Sequence, residues 1–164
     1  MKQFKEEQRF TQPWLIILMT VTSIAPIVII TNLFLKSNNM STKQYIIALS
    51  TILLGFGLVF IFKLTTQIDK IGIHYKFFPL HLKMKTISWS DIKHAETRTY
   101  NALSEYGGWG LKGGFLWNQA KGKAINVKGD IGVQLTLNNN KKLLIGTQQK
   151  NQVDSVIATY LHQK

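Results

Sequence analysis

The sequence predicts an α+β membrane protein: a transmembrane helical hairpin, then a small bent β-barrel of about seven strands capped by a C-terminal α-helix. Three observations predict it. Two runs, Trp14 to Leu35 and Tyr45 to Phe62, are uncharged over 22 and 18 residues. Apolar residues then alternate with polar ones through most of the stretch from Ile68 to Thr147, the period of strands. At the end Val153, Val156, Ile157, Tyr160 and Leu161 recur at helical spacing.

Residues 1–13, MKQFKEEQRFTQP, read as a polar N-terminal tail. A secretory signal needs a purely positive start and an apolar core of about 7 to 15 residues. Here Glu6 and Glu7 interrupt the positive start and the apolar run is longer, so a retained helix is expected over residues 14–35. At 1.5 Å per residue it would span about 33 Å, which matches a hydrocarbon core of about 30 Å. Trp14 and Lys36 sit where ring and charge prefer the headgroup boundary. Pro26 falls mid-run, and proline is common in membrane helices.

Residues 36–44, KSNNMSTKQ, form a short external loop, which makes the second helix, residues 45–63, an antiparallel neighbour of the first. Thr51, Gly55 and Gly57 give it a small-residue patch where backbones can approach. Lys2, Lys5 and Arg9 precede the hairpin and Lys63, Lys70 and Lys76 follow it, against Lys36 and Lys43 in the connector. That excess places both termini in the cytoplasm.

Residues 64–164 are left for one domain. Ile71, Ile73, Tyr75 and Phe77 define a strand face, and Pro79 a turn. Leu82 and Met84 alternate with Lys83 and Lys85, but Ile87 and Trp89 follow in opposite phase, which predicts a bulge or bend near Thr86. Ile92 to Tyr100 is a third strand. Asn101 to Gly122, rich in glycine and aromatics, is a long loop or a set of sharply turned strands. Lys123 to Val127 is a short strand. Ile131 to Leu137 pairs through Asn138, Asn139 and Asn140 with Lys141 to Thr147 as a hairpin. Asn151 is the expected cap of the last helix.

The chain carries +12, and residues 64–164 alone hold 14 Lys and Arg against 6 Asp and Glu, a net +8. Such a balance suits either an anionic lipid surface or plain solubility. There is no cysteine, which excludes disulfides, thiol nucleophiles and Cys-ligated zinc.

IDKIGIHYKFFPLHLKMKTISWSDI, EYGGWGLKGG and INVKGDIGVQLTLNNNKKLLIGTQ resemble bacterial pleckstrin-homology-like domains. The whole chain is similar to an uncharacterised family of small bacterial membrane proteins with two N-terminal helices and such a domain behind them. The resemblance implies a seven-stranded, strongly bent barrel on the cytoplasmic side, capped by the helix. It implies no catalytic residue and no phosphoinositide ligand.

The residues themselves offer little chemistry. Gly108 to Gly113 spells G-x-G-x-x-G, but bulky Trp109 sits between the first glycines and no helical pattern follows, so dinucleotide binding is not expected. His94 and Glu96 have no cysteines to complete a zinc site. Ser90, Asp91 and His94 are near in sequence, which is no evidence for a triad. No metal, cofactor or nucleic acid is expected.

The function expected is a non-enzymatic, membrane-anchored binding module at the bacterial cytoplasmic membrane. It would dock on anionic lipid or a partner membrane protein through Tyr106, Trp109, Lys112, Trp117, Lys121, Lys123 and Lys128. On the alternative reading the aromatics only pack the barrel mouth and the lysines are solvated. A second class of function is an accessory subunit of a transporter or stress-response complex, recognised through the hairpin.

Overall fold

The computed structural model describes residues 2–36, 40–113 and 121–161. They form two compact units: the segment from Phe10 to Phe62, and a domain assembled from the residues before and after it.

The first unit is a pair of helices, α1 (Pro13–Lys36) and α2 (Thr42–Ile61). Both are long and apolar enough to cross a membrane, and neither has a buried residue. Ser41 begins α2 with a reciprocal cap: its hydroxyl accepts from Gln44 N–H at 3.3 Å, and Gln44 Oε1 accepts from Ser41 N–H at 2.9 Å. Phe34 stacks on Tyr45 with ring centroids 4.4 Å apart, and the Tyr45 hydroxyl lies 3.2 Å from Thr31 Oγ1. Those contacts tie the end of α1 to the start of α2. Lys63, expected as the last residue of the second helix, instead opens a strand.

The domain has nine strands among the described residues. The first sheet is β1 (Phe4–Arg9), β2 (Lys63–Ile68), β3 (Gly72–Phe78) and β4 (Lys85–Ser88), in that order and antiparallel throughout. The second sheet runs β5 (Ile92–Thr99), β8 (Ile131–Leu137), β9 (Lys142–Gly146), β7 (Lys123–Asn126), β6 (Gly110–Lys112). Its β7–β9 pair is parallel and its other pairs are antiparallel. Helix α3 (Ala102–Tyr106) follows β5, and α4 (Lys150–Leu161) ends the chain. The two sheets are not hydrogen-bonded into a closed barrel.

Phe4–Arg9, within the stretch expected as a polar tail, is therefore a strand of the domain. Phe4, Glu6 and Gln8 face inward and alternate with exposed Lys5, Glu7 and Arg9. The pattern is strand-like, but two of its three inward positions are polar and conceal it. Thr147 Oγ1–H donates to Glu6 Oε2 at 2.7 Å and Gln148 N–H to Glu6 Oε1 at 2.9 Å, while Gln8 Nε2–H donates to Gly146 O at 2.8 Å. These bonds satisfy groups that would otherwise be costly to bury. They also fasten β1 to the second sheet.

Three further expectations change. Leu82 and Met84 do not belong to a strand: Pro79 to Met84 is a connection of turns and bends, and the phase slip at Thr86 is the start of β4 rather than a bulge. The bulge lies instead in β5, between Ile92 and His94. Asn151 is inside α4, which begins one residue earlier, and Gln149 O accepts the first N–H from Val153 at 3.1 Å. The expected apolar stripe of α4 does hold: Val153, Val156, Ile157 and Tyr160 are buried. Tyr160 also stacks on Trp89 and donates its hydroxyl to Lys2 O at 2.6 Å.

Candidate binding surface

The residues expected to form one surface divide. Tyr106, the last residue of α3, is buried in a cluster with Tyr100, Ala102, Ala124 and Leu144. Its hydroxyl accepts from Arg98 Nη2–H at 3.2 Å, and its ring meets Tyr100 edge-on. It is a core residue. Gly107, at φ +71, closes α3 in the left-handed region that glycine adopts without strain. Trp109 is half-buried against the same cluster, its indole N–H donating to Gly129 O at 3.4 Å.

Trp117 lies outside the described residues. Lys112 ends β6, yet its side chain turns back so that its ammonium lies beside Gly108. Lys128 follows β7, and its carbonyl accepts from Gln148 Nε2–H at 2.9 Å. Lys121 and Lys123 are exposed at the opposite end of β7. Three further residues of strand follow Lys123 before the turn that holds Lys128, a run of about 10 Å. In register Lys112 pairs with Ala124, at the Lys123 end of β7, and Lys128 lies beyond the other end.

The groove beside Tyr100 and Trp109, about 490 Å³, is lined in part by Glu105, which is held in an ion pair. Arg98 Nη2 reaches Glu105 Oε2 at 2.9 Å, and Asn101 N–H donates to Glu105 Oε1 at 2.9 Å. The Arg98 bond holds the Glu105 carboxyl below its usual range, against burial, with the Asn101 amide and the charges of Arg98 and Lys121 adding to it. Burial pushes the Tyr100 phenol up to about 12. Glu105 is thus tied to Arg98 and to the start of α3, and Asp130 lines the same groove.

A cavity of about 480 Å³ between the sheets is different. Tyr75 and Ile87 from the first sheet face Lys123, Lys141, Lys142 and Leu143 from the second. Gly122, at φ +78, lets the chain into β7 pass so close to Lys142 O that a Cβ there would collide with it. Burial pushes the Tyr75 phenol above its ordinary value. Three lysines, a tyrosine and apolar residues in the lining suit an anion that carries an apolar body. Only Lys123 of this set was expected. Lys141 and Lys142 follow the three-asparagine turn, where Asn140 takes φ +61, so two adjacent lysines after a tight hairpin turn were the available signal.

On the first sheet the cavity is lined by Tyr75, the middle residue of β3, and by Ile87, which pairs with Ile73 toward the Gly72 end of that strand. Arg9, Lys63 and Phe78 stand in register across β1, β2 and β3, and Tyr75 is three residues down β3 from that row. Arg9 leads into Phe10 and Lys63 follows Phe62, so both chain connections to the helical unit leave from this row.

Ser90, Asp91 and His94, close in sequence, lie around the start of β5. Asn138 Nδ2–H donates to Ser90 O at 2.7 Å and Asn138 N–H to Asp91 O at 2.9 Å, joining the β8–β9 turn to the start of β5. His94 Nε2 is 3.5 Å from Glu96 Oε2 on an exposed strand face. Among the described residues, no three His, Asp or Glu side chains come together. No protein-family model matches the chain, and a search of curated proteins finds no match.

Proposed function

We propose that the protein is a membrane-anchored binding module: α1 and α2 cross the bacterial cytoplasmic membrane, and the domain, pleckstrin-homology-like in plan, takes anionic lipid in the cavity between its sheets. The observation that carries the reading is the register row Arg9, Lys63, Phe78. Because β1 and β2 are paired, both ends of the hairpin must open on one side of a bilayer, the side on which the domain and its cavity then lie.

The charge supports it. The domain, β1 included, holds 18 Lys and Arg with all 8 acidic residues, a net +10. Near an anionic leaflet each lysine contributes about 1 kcal/mol, fading within a Debye length. That excess also favours the cytoplasmic side for the domain over the connector with its Lys43.

The test uses the full chain in nanodiscs of zwitterionic lipid, titrated with a short-chain phosphatidylglycerol across a salt series. Saturable, salt-sensitive binding that is lost when Lys123, Lys141 and Lys142 are all changed to Glu is expected. Absence of binding at low salt would overturn the lipid reading and leave a protein partner, to be sought by crosslinking in native membranes.

A further inference from the structure

The connection between β3 and β4 carries three large apolar side chains that the domain leaves uncovered. Leu80, Leu82 and Met84 are 58%, 75% and 39% exposed. They alternate with His81, Lys83 and Lys85. The loop is held to the strand end: His81 N–H donates to Phe77 O at 2.8 Å, Phe77 N–H donates to His81 Nδ1 at 3.3 Å, and the His81 ring meets Tyr75 edge-on. Burial, with Lys85 adding to it, lowers the His81 pKa and favours the neutral ring.

Its position gives the apolar residues a purpose. Phe78 stands in the row with Lys63 and Arg9, so Pro79 to Met84 leave the sheet at the end where the chain departs for α1 and returns from α2. At strand spacings of about 4.8 Å, the loop begins about 10 Å from Arg9. Lys76, whose ammonium lies 5.9 Å from the Phe78 ring centroid, stands on the same end of β3. Apolar tips flanked by lysines are the pattern of an interfacial segment, in which alkyl groups enter the acyl boundary and ammonium groups remain among headgroups.

We propose that the β3–β4 loop is a further bilayer contact, with Leu80, Leu82 and Met84 dipping into the membrane crossed by α1 and α2 while Lys76, Lys83 and Lys85 meet its headgroups. The proposal rests on the reading of the hairpin as a transmembrane anchor. It sets the end of the first sheet that carries both linkers and this loop against the headgroups.

The chain has no cysteine, so single cysteines can carry a spin label without further change. We would label Leu82→Cys, Leu53→Cys in the middle of α2, and Ile71→Cys, which is 56% exposed at the opposite end of the same sheet. The full-length variants go into vesicles of mixed neutral and anionic phospholipid. Collision rates are then measured with lipid-soluble oxygen and with a water-soluble nickel chelate.

The expected result is an oxygen-dominated label at position 82, as at 53, with a nickel collision rate several-fold below that at 71. A lipid signal at 53 with a nickel-accessible label at 82 would overturn the proposal and leave the anchor standing. A label at 82 shielded from both reagents would overturn it in favour of a protein contact. A nickel-accessible label at 53 would overturn the anchor and the loop together.

Discussion

Helix α4 and the helices of the hairpin are made of similar apolar residues and meet opposite surroundings. In α4 the apolar residues form a stripe, and Val153, Val156, Ile157 and Tyr160 disappear into the domain while the other face stays polar. In α1 and α2 apolar residues run all the way round, and not one is buried. A helix that is apolar on every side needs cover on every side. What the difference teaches is that a helix's pattern names its solvent: a stripe asks for a protein core, and a full circumference asks for lipid. The presence of β1 before α1 sharpens this, because a segment that pairs with β2 after the hairpin is a working part of the domain.

The largest effect expected is from separating what the hairpin divides. A chain beginning at Leu64 lacks β1 and with it the burial of Phe4 and the bonds of Glu6 and Gln8 to the second sheet. It should fail to give a cooperative thermal melt, whereas the same chain with residues 2–9 restored ahead of Lys63 through a short linker should melt cooperatively. Within the full chain, Phe4→Ala alone should cost roughly 3–5 kcal/mol in denaturant unfolding of the domain.

The next prediction sets the two helix types against each other. Val153 is fully buried, so Val153→Asp places an unpaired carboxylate in the core and should unfold the domain, seen as loss of near-ultraviolet circular dichroism. Leu53→Asp should leave the domain's melt unchanged and instead oppose membrane insertion by about 2.5–3.5 kcal/mol, read with an insertion reporter. If Leu53→Asp lowered the domain's melt and spared insertion, the distinction between the helices would collapse.

The smallest effect concerns the ion pair under α3. Arg98 lowers the Glu105 pKa from its ordinary value of 4.5, so the pair's contribution is complete above that value and is lost as pH falls through the lowered folded value. Glu105→Gln should cost about 1 kcal/mol at neutral pH, a modest sum because the pair is partly open to solvent. It should also flatten the acid limb of the stability profile, and an unchanged limb would assign the acid sensitivity elsewhere.

Much of the plan was legible because burial leaves periods in the sequence. The two uncharged runs, the β8–β9 hairpin and the stripe of α4 all stand where their patterns put them. Elements failed to show where polar groups are buried or chain is short. β1 hides behind Glu6 and Gln8, which face the core only because Thr147, Gln148 and Gly146 supply partners from far along the chain. β2, KLTTQI, hides similarly behind Thr66, which is buried between Leu64 and Ile68. α3 is five residues long, too short for a helical period to register. Leu80, Leu82 and Met84 imitate a strand because a loop with alternate apolar residues has the same period as one.

The surface was less legible than the fold. Composition located the positive charge in the domain, but which lysines meet depends on the pairing of β7 with β9, a parallel contact that no local pattern announces. That pairing brings Lys123 to Lys142 and leaves Lys128 at the far end of its strand.

The central claim is that the residues before and after the hairpin form one domain on one side of a bilayer, with the connector on the other. Single cysteines at Lys5 on β1, Lys93 on β5 and Lys43 at the start of α2 test it most directly, since all three positions are exposed. Sealed vesicles of uniform orientation are treated with a membrane-impermeant maleimide. The account predicts that positions 5 and 93 react together from one side and position 43 only from the other. Reaction of all three from the same side would contradict it.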